Sequence, residues 1–414
     1  MRRTLPPAAG PNRLRNLLHA AGGALSGARA LKRFEGELKE YFGVRHVFPV
    51  SSGKTALFVI LRALKALSPE RSTVVIPAYT CFSVPSAVIK AGLDVKLCDM
   101  DRKTMDFDYN LLADAIGKDT LCVVPGNLFG IPSDVERVRR LCGPHGAFVV
   151  EDAAQAMGVR YKGRLVGTAG DAGFFSLARG KNITCGSGGV IVTDSDRVGK
   201  AVNGVYSTLP SPGAAETLKE FLMVVAMDVF INPSFYWLPS GLPFLKLGET
   251  RFYRDFPVER LSGMKAGLLR NWRTELEWSN RVRAENAEYF RRGLGLRDAY
   301  GRTPLLRLPV VLESAEARER VCSIAKGKGL GVSRMYPSPV NEIEEIKERF
   351  SGEEYPGAKT VAERLVTIPT HHLLKDGDRA AIRELFLKTA SCPAHGQDAV
   401  RLNTPAKPAG QPRY

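Results

Sequence analysis

Two stretches of the chain decide its fold: FVVEDAAQ, from Phe148 to Gln155, and FFSLARGKN, from Phe174 to Asn182. Each opens with an apolar run typical of a buried strand and continues into polar residues that can carry chemistry. The first stretch delivers an acid, Asp152, and the second delivers an amine, Lys181. Because the carboxyl ends of parallel strands meet at one edge of a sheet, we expect this acid and this amine to lie near each other.

A third stretch, VFPVSSGKTAL from Val47 to Leu57, places an apolar strand before a polar turn and a helical pattern after it. SSGKT is similar to the phosphate-binding loop of ATP-hydrolysing proteins, but that loop needs a glycine where this chain has Phe48. A P-loop nucleotide hydrolase therefore stays open as an alternative, supported by the acid-bearing strand FVVED. One acid, one lysine and one phosphate-binding turn near strand ends fit a phosphorylated aldehyde cofactor better, and pyridoxal phosphate has these features.

Short apolar runs alternate with helical patterns between about Phe34 and Asp194, which predicts an α/β layer with a largely parallel sheet. The predicted strands are STVVIP, DVKLC, TLCVVP, GAFVVED, AGFFS and GGVIVTD. The segment Ser133-Asp134-Val135-Glu136 predicts a helix start in which the serine and the glutamate satisfy each other's free backbone donors.

The chain is predicted to have four parts. They are an N-terminal arm (1–33), a large cofactor-binding domain (34–257), a long helix with a small α+β domain (258–390) and a flexible tail (391–414). The long helix is expected from Val258 to about Leu294. The small domain is expected to contain strands at Leu305 to Leu312 and Leu365 to Pro369, and helices at Ala315 to Lys328 and Asp378 to Lys388.

The stretch from Phe221 to Gly248 is the most apolar part of the chain. A membrane span is not favoured, because Asp228, Asn232 and three prolines interrupt the roughly 20 apolar residues that a span needs. Two interpretations stay open. One is a buried helical insertion or subunit contact, and the other is a patch on a bilayer surface with Tyr236 and Trp237 at the interface.

The formal net charge of +16 predicts a partner that carries phosphate or another negative group. Lysines and arginines are spread along the chain without a nucleic-acid-recognition pattern, so we expect no nucleic-acid partner. The seven cysteines form no C-x-x-C pair, which favours a reduced, cytoplasmic protein, and the six histidines form no metal-ligand pattern. We expect no metal site.

The segments EDAAQAMG and KGRLVGTAGDAGFFSLARGKNITCGSGGVIVTD together resemble the core of the pyridoxal-phosphate-dependent sugar aminotransferases of the DegT/DnrJ/StrS family. The resemblance begins at FEGELKEYFGVRHVFPVSSGKTAL, continues through VVIPAYTCFSVPSAVIKAG to Gly189, and resumes more weakly at Leu261 to Leu294, RMYPSPV and LVTIPTHHLL. It implies a fold-type-I pyridoxal-phosphate enzyme, with a large domain around a mostly parallel sheet and a smaller C-terminal α+β domain. It also implies a homodimer.

The resemblance assigns roles residue by residue. Lys181 would form the covalent bond to the cofactor aldehyde, Asp152 would pair with the pyridine nitrogen, and Gln155 would reach the phenolic oxygen of the ring. A carboxylate at the ring nitrogen stabilises its protonated form, and a displaced lysine amine can carry a proton to and from the substrate carbon. The phosphate would be bound by Ser176 and by the backbone donors of Lys54 and Thr55.

The chain departs from the family at three places. Cys81 stands where the family usually has an aromatic residue stacked on the cofactor, so Cys81 is the candidate for this contact, with Phe82 and Tyr79 as alternatives. Cross-subunit phosphate contacts cannot be transferred, because the apolar stretch and FYRDFPVERLSG replace the usual segment. Asn341 follows Tyr336-Pro337-Ser338-Pro339-Val340 where the family often has histidine, which predicts a different substrate pocket.

The implied activity is transfer of an amino group from an amino acid such as glutamate to a keto sugar, usually a nucleotide-linked one, in polysaccharide or cell-envelope synthesis. A sugar dehydratase is the alternative within the enzyme class. Some dehydratases of this fold have histidine where this chain has Lys181, which argues against that alternative. A non-catalytic cofactor-binding or membrane-surface protein is a further alternative.

Overall fold

A central sheet of seven strands lies within residues 46–193. The computed structural model describes residues 3–11, 14–242, 250–296 and 301–389, so the predicted tail at 391–414 and residues 243–248 of the apolar stretch lie outside the described residues. The strands of this part are β1 (His46–Val50), β2 (Thr73–Pro77), β3 (Asp94–Cys98), β4 (Met100–Asp101), β5 (Asp106–Phe107), β6 (Thr120–Val123), β7 (Phe148–Asp152), β8 (Arg160–Tyr161), β9 (Arg164–Leu165), β10 (Ala172–Ser176) and β11 (Gly189–Thr193).

The seven strands are hydrogen-bonded in the order β1, β11, β10, β7, β6, β2, β3. Every neighbouring pair from β10 to β3 is parallel, whereas β11 is antiparallel to both β10 and β1. All strands except β11 therefore point the same way, and the predicted α/β fold with a mostly parallel sheet is confirmed. Two short antiparallel pairs, β4 with β5 and β8 with β9, lie outside this sheet.

Both faces of the central sheet are buried, which explains why its strands read as unbroken apolar runs. On β10, Phe174 enters one hydrophobic cluster and Phe175 enters another on the opposite face. The helices of this part are α1 (Leu14–Leu25), α2 (Gly27–Phe42), α3 (Gly53–Leu67), α4 (Ser83–Lys90), α5 (Tyr109–Ala115), α6 (Val135–Cys142), α7 (Asp196–Ser207), α8 (Ala214–Phe230), α9 (Trp237–Ser240) and α10 (Gly263–Leu268).

Helix α3 carries the first turn of the predicted phosphate site and is fixed by its apolar face. Its residues Ile60, Leu61 and Leu64 are fully buried at helical spacing. Each such side chain contributes roughly 1.5–3 kcal/mol of transfer free energy. Ser52 caps the helix by accepting a hydrogen bond from the Thr55 backbone N–H at 3.1 Å. The start of α3 is therefore held firmly at the carboxyl end of β1.

The predicted capping box at residues 133–136 is wrong by one residue. The N-cap of α6 is Asp134, whose carboxylate accepts from the Arg137 N–H, rather than Ser133. The Ser133 hydroxyl instead donates to the buried carboxylate of Asp106 at 2.7 Å. Ser133 does not cap the helix, because its hydroxyl is bound to Asp106, which is distant in the chain.

The segment predicted as one long helix from 258 to 294 contains two helices. Helix α10 ends at Leu268, and α11 (Trp272–Gly293) begins after a short break. The small domain follows, with strands β12 (Arg307–Val311) and β13 (Leu365–Pro369) in an antiparallel pair and helices α12 (Ala315–Lys328), α13 (Pro356–Arg364) and α14 (Asp376–Thr389). The α+β character expected for this region matches, and α13 is an element that the sequence pattern did not predict.

Residues 3–11 are packed against both domains. The Leu5 N–H donates to the Gly329 carbonyl at 2.8 Å, and Leu5 is 2% exposed. The carbonyl of Pro6 accepts from Nε2 of the buried His371 at 2.8 Å. This segment thus joins the end of α12 to the loop after β13.

Helix α8 and the residues after it hold most of the apolar stretch, and their side chains are largely exposed. Val224 and Pro233 are buried, but Leu222 is 59% exposed and Leu218 is 60% exposed. The interpretation as a buried insertion is therefore wrong for the described part of the segment. Within those residues, no helix has the length and apolar character needed to cross a bilayer.

Candidate active site

The structure brings Asp152 and Lys181 to the same edge of the central sheet. Asp152 ends β7, and Lys181 lies in the loop that connects β10 to β11. Asp152 is 9% exposed, and its Oδ1 accepts a hydrogen bond from the Ala154 N–H at 3.0 Å. The two side chains interact electrostatically, so they lie near each other, as the parallel-sheet argument predicted.

Burial shifts the pKa values of Lys181 and Asp152 in opposite directions. Burial lowers the pKa of Lys181, while Cys81 and Asp152 oppose that change and Arg307 adds to it. Burial raises the pKa of Asp152, while the Ala154 N–H and Lys181 oppose that change. A lysine whose pKa is lowered holds more of its amine in the neutral, nucleophilic form near neutral pH.

The start of α3 and the end of β10 form a polar cradle next to this pair. A Cβ atom at Gly53 would lie 3.4 Å from Ser176 Oγ, so the hydroxyl faces the first turn of the helix. Gly189 allows the start of β11 to lie close to Ser52, because a Cβ atom at residue 189 would lie 2.3 Å from the Ser52 carbonyl oxygen. Backbone N–H groups in the first turn of a helix have no partner within the helix and favour anions.

The backbone N–H groups of Lys54 and Thr55, both predicted to bind phosphate, have different surroundings in this structure. The Thr55 N–H donates to Ser52 Oγ, and the Thr55 hydroxyl contacts Ser51 and Ser52, so Thr55 is occupied by the cap. Lys54 lies one residue earlier, and its ammonium group is 4.3 Å from the centroid of the Tyr253 ring. Burial lowers the pKa of Lys54, and Lys54 interacts electrostatically with Cys81, as Lys181 does.

Gln155 and Cys81 both contact the hydroxyl of Tyr336. The Gln155 amide nitrogen donates to the Tyr336 hydroxyl at 2.7 Å, and its oxygen accepts from the Phe129 N–H at 3.0 Å. Cys81 is partly exposed and lies within hydrogen-bonding distance of the same hydroxyl. Tyr79 is fully buried, so Cys81 stays our candidate for the contact with a cofactor ring. Gln155 contacting a phenolic oxygen also stays a prediction.

Two arginines at the site, the buried Arg283 and the partly buried Arg307, did not follow from the sequence reasoning. Arg283 of α11 is 0% exposed and donates to the carbonyls of Leu306 at 2.9 Å and Lys181 at 3.3 Å. Arg283 lies seven residues after Leu276 and seven before Phe290, and both of these are buried. A charged residue on the apolar side of a helix was therefore the sequence feature that could have identified Arg283. Arg307 begins β12, where a basic residue interrupts the apolar run LLRLPVV.

Comparison with known proteins places this geometry in a family. Residues 12–226, which include β7, β10 and the Lys181 loop, match the sequence model of the DegT/DnrJ/EryC1/StrS aminotransferase family. The chain belongs to the DegT/DnrJ/EryC1/StrS aminotransferase family. Membership leaves the P-loop alternative without support.

Individual members of the family are similar over different lengths. The chain is 30% identical over 176 residues to a GDP-perosamine synthase of Vibrio cholerae, and this match covers 42% of the chain and 47% of that protein. It thus spans about half the length of that curated relative. It is 28% identical over 357 residues to a dTDP-3-amino-3,4,6-trideoxy-alpha-D-glucose transaminase of Streptomyces venezuelae, which covers 82% of the chain and 81% of the transaminase.

A solved family structure matches nearly the whole chain. PseC of Helicobacter pylori, described as an aminotransferase involved in the biosynthesis of pseudoaminic acid, superimposes with a TM-score of 0.76. The alignment covers 94% of this chain and 99% of PseC at 17% identity. This similarity extends the shared fold beyond residue 226 into the small domain.

Proposed function

We propose that this chain is a pyridoxal-phosphate-dependent aminotransferase that transfers an amino group from an amino acid to a keto sugar. The observation that carries the proposal is the electrostatic interaction of Lys181 with Asp152 at the carboxyl edge of the sheet. The names of the perosamine synthase and of the Streptomyces transaminase each include a nucleotide-linked sugar, which supports a nucleotide-linked acceptor.

The residues at this edge fit pyridoxal phosphate in three respects. Lys181 supplies an amine with a lowered pKa, and Asp152 supplies a buried carboxylate that interacts with it. The first turn of α3 and the Ser176 hydroxyl form a cradle for a phosphate. When bound, pyridoxal phosphate supplies an electron-accepting ring that stabilises the charge left by a departing substrate proton.

Each side chain then has a definite task. Asp152 would keep a positive charge on the ring nitrogen and so orient the ring. Lys181 would hold the cofactor through Nζ and would carry a proton at the same atom during amine transfer. Ser176 and the Lys54 N–H would hold the phosphate, and Cys81 would pack against the ring.

The amino donor is proposed to be glutamate, and the product an amino sugar for polysaccharide or cell-envelope synthesis. A spore coat polysaccharide biosynthesis protein of Bacillus subtilis among the relatives supports this setting. A second candidate activity is dehydration of a keto sugar, because a GDP-4-keto-6-deoxy-D-mannose 3-dehydratase is also a relative. Mass spectrometry of the sugar product separates the two, since transamination adds nitrogen to the sugar and dehydration removes water.

The proposed activity is tested with Lys181→Ala and with Lys118→Ala, which removes an exposed lysine. The wild type and Lys118→Ala should show the absorbance of lysine-bound cofactor and convert it when glutamate is added. Lys181→Ala should lose both properties while keeping its fold by circular dichroism. Retention of the absorbance band in Lys181→Ala would contradict the assignment.

We also propose that the protein is a cytoplasmic homodimer in which a second copy covers the apolar surface of α8 and α9. The exposed large residues of this surface include Leu218, Leu222, Phe235 and Trp237. A helix that binds an anionic bilayer is usually rich in basic residues, whereas α8 has three acids and one lysine. The six cysteines within the described residues are free thiols, which suits a reducing compartment.

Sedimentation velocity and liposome flotation test the homodimer against the membrane alternative. A dimer that does not float with anionic liposomes is the expected result. A monomer that does float would replace the homodimer by peripheral attachment at the inner membrane surface.

A further inference from the structure

Arg283 of α11 is a fully buried cation that donates its hydrogen bonds to uncharged groups. Its five acceptors are Ser279 Oγ at 3.3 Å, the Leu306 carbonyl at 2.9 Å, Thr370 Oγ1 at 3.4 Å, the Ala9 carbonyl at 2.6 Å and the Lys181 carbonyl at 3.3 Å. A guanidinium has five N–H groups in a fixed plane, so the acceptors match its donors in number. A lysine or glutamine side chain has fewer donors and could not satisfy the same set.

The carbonyl acceptors of Arg283 belong to segments that are far apart in the chain. Ala9 lies in the N-terminal segment (residues 3–11), and Lys181 lies in the lysine loop (residues 177–188), which joins β10 to β11. Leu306 directly precedes β12 of the small domain. One side chain therefore joins the backbone of the proposed reactive lysine to the N-terminal segment and to the small domain.

The N-terminal segment also packs directly on the lysine loop. A Cβ atom at Gly10 would lie 3.0 Å from the Lys181 carbonyl oxygen. A Cβ atom at Gly180 would lie 2.7 Å from the Ala8 Cβ. Contacts this close leave no room for a side chain at either glycine, so a displacement of one segment must displace the other.

Helix α11 holds the residue after the lysine as well. Asn280 accepts a hydrogen bond from Asn182 Nδ2 at 2.8 Å and donates to the Met157 carbonyl at 2.9 Å. Asn182 and Asn280 are both buried. Because residues three apart lie on one face of a helix, Asn280 and Arg283 present a single surface to the lysine loop.

Arg283 contacts the backbone of Lys181 through its carbonyl oxygen. Burial lowers the pKa of Arg283 to about 9, and Arg307 adds to that change, so the guanidinium is still charged near neutral pH. A charged donor strengthens hydrogen bonds to carbonyl oxygens. The bond therefore holds the main chain that carries the amine and leaves the amine itself free to react.

We propose that Arg283 is a positioning residue for Lys181, and that it acts by holding the lysine loop against the N-terminal segment. The proposal rests on the proposed aminotransferase function, in which Nζ of Lys181 must reach the cofactor and carry a proton. Proton transfer needs the two groups within hydrogen-bonding reach, and a misplacement of about 1 Å can slow a reaction roughly 100-fold. Loss of Arg283 should therefore lower the rate of amine transfer more than the affinity for the amino acid.

The first test compares Arg283→Gln and Arg283→Lys with Arg33→Gln, which removes a partly buried arginine that donates to the Ala266 carbonyl at 2.9 Å. Stopped-flow absorbance of the holoenzyme gives the limiting rate of cofactor conversion by glutamate and the half-saturating glutamate concentration. Arg283→Gln should lower the limiting rate roughly 100-fold and leave the half-saturating concentration nearly unchanged. Arg283→Lys should recover part of the rate, and Arg33→Gln should match the wild type.

A second pair of variants keeps Arg283 in place. Gly10→Ala adds a methyl group against the Lys181 carbonyl and should lower the limiting rate about tenfold or more. Gly36→Ala is its control, because Gly36 is exposed on α2 and a Cβ atom there would meet no atom within 4 Å. Wild-type rates in both Gly10→Ala and Arg283→Gln would overturn the inference.

A third readout does not depend on turnover. Hydrogen exchange of the full-length protein without cofactor reports on the lysine loop, where the N–H groups of Lys181 and Cys185 are hydrogen-bonded. Arg283→Gln should exchange faster than the wild type in this loop and in the N-terminal segment, and at the wild-type rate in β7 and α3. Unchanged exchange in the loop, or an equal increase throughout the chain, would contradict a positioning role. If no amino acid converts the wild type, the proposed function fails, whereas exchange that changes only in these two segments would still support the role of Arg283 in holding the loop.

Discussion

Replacement of Asp152 by asparagine isolates the contribution of one negative charge to the proposed chemistry. Asparagine has nearly the same shape, and its Oδ1 can still accept the Ala154 N–H, so the loop after β7 should be retained. Asp152 is 9% exposed, and its surroundings are therefore better described by a protein-like dielectric constant than by that of water. The substitution thus removes a charge from a site where charge interactions are strong.

The expected effect follows from Coulomb's law. At roughly 4 Å, a pair of unit charges interacts with about 4 kcal/mol at an effective dielectric constant near 20, against about 1 kcal/mol in water. Since about 1.36 kcal/mol corresponds to a tenfold change in rate, Asp152→Asn should slow conversion of the cofactor by an amino acid about 1000-fold. An exposed carboxylate would produce only about a fivefold effect on the same scale.

Stopped-flow absorbance with saturating glutamate measures this rate directly. Asp171→Asn is the matched control, because Asp171 directly precedes β10 and its carboxylate accepts the Val149 N–H at 2.8 Å, near the end of β7 opposite to Asp152. That control can lower stability without slowing amine transfer. An Asp152→Asn rate within fivefold of wild type, with normal cofactor content, would refute the role of Asp152 at the ring nitrogen.

Two further predictions concern the phosphate cradle and a buried histidine. Ser176→Ala should raise the dissociation constant for the cofactor about tenfold or more, because a hydrogen bond to a charged phosphate is lost. Equilibrium dialysis measures this constant, and an unchanged value would contradict the prediction. Burial lowers the pKa of His371 well below its ordinary value, so the unfolded chain takes up a proton before the folded one does as pH falls below about 6.5. The free energy of unfolding should then decrease with falling pH by up to about 1.4 kcal/mol per pH unit. In His371→Gln the free energy of unfolding should depend less on pH. Equal pH dependence in the wild type and the variant would contradict this prediction.

The central sheet could be predicted from the sequence because its strands are buried on both faces. Runs such as TVVIP and GVIVT contain no charged residue that would interrupt the pattern, and glycine, proline or aspartate marks their ends. The same rule brought Asp152 and Lys181 together without knowledge of the coordinates. Parallel strands place distant loops at one edge, so chain order was sufficient for this part of the site.

Other features depend on partners that are distant in the chain. Ser133 and Asp134 are both good helix caps, and only the buried Asp106 decides which of them caps α6. The break between α10 and α11 has no proline to announce it. Arg307 could have been noticed as a charge within an apolar strand, but its place beside Lys181 depends on how the small domain packs on the large one.

The docking of residues 3–11 has a consequence for the order of events during synthesis. These residues leave the ribosome early, but their partners include Gly329, Arg283 and His371, which are made much later. The wall behind Lys181 therefore cannot be completed while the chain is still being translated. Until Gly329 and His371 have emerged, Leu5 and Pro6 lack these hydrogen-bond partners, and a nascent chain of this protein should present them to chaperones.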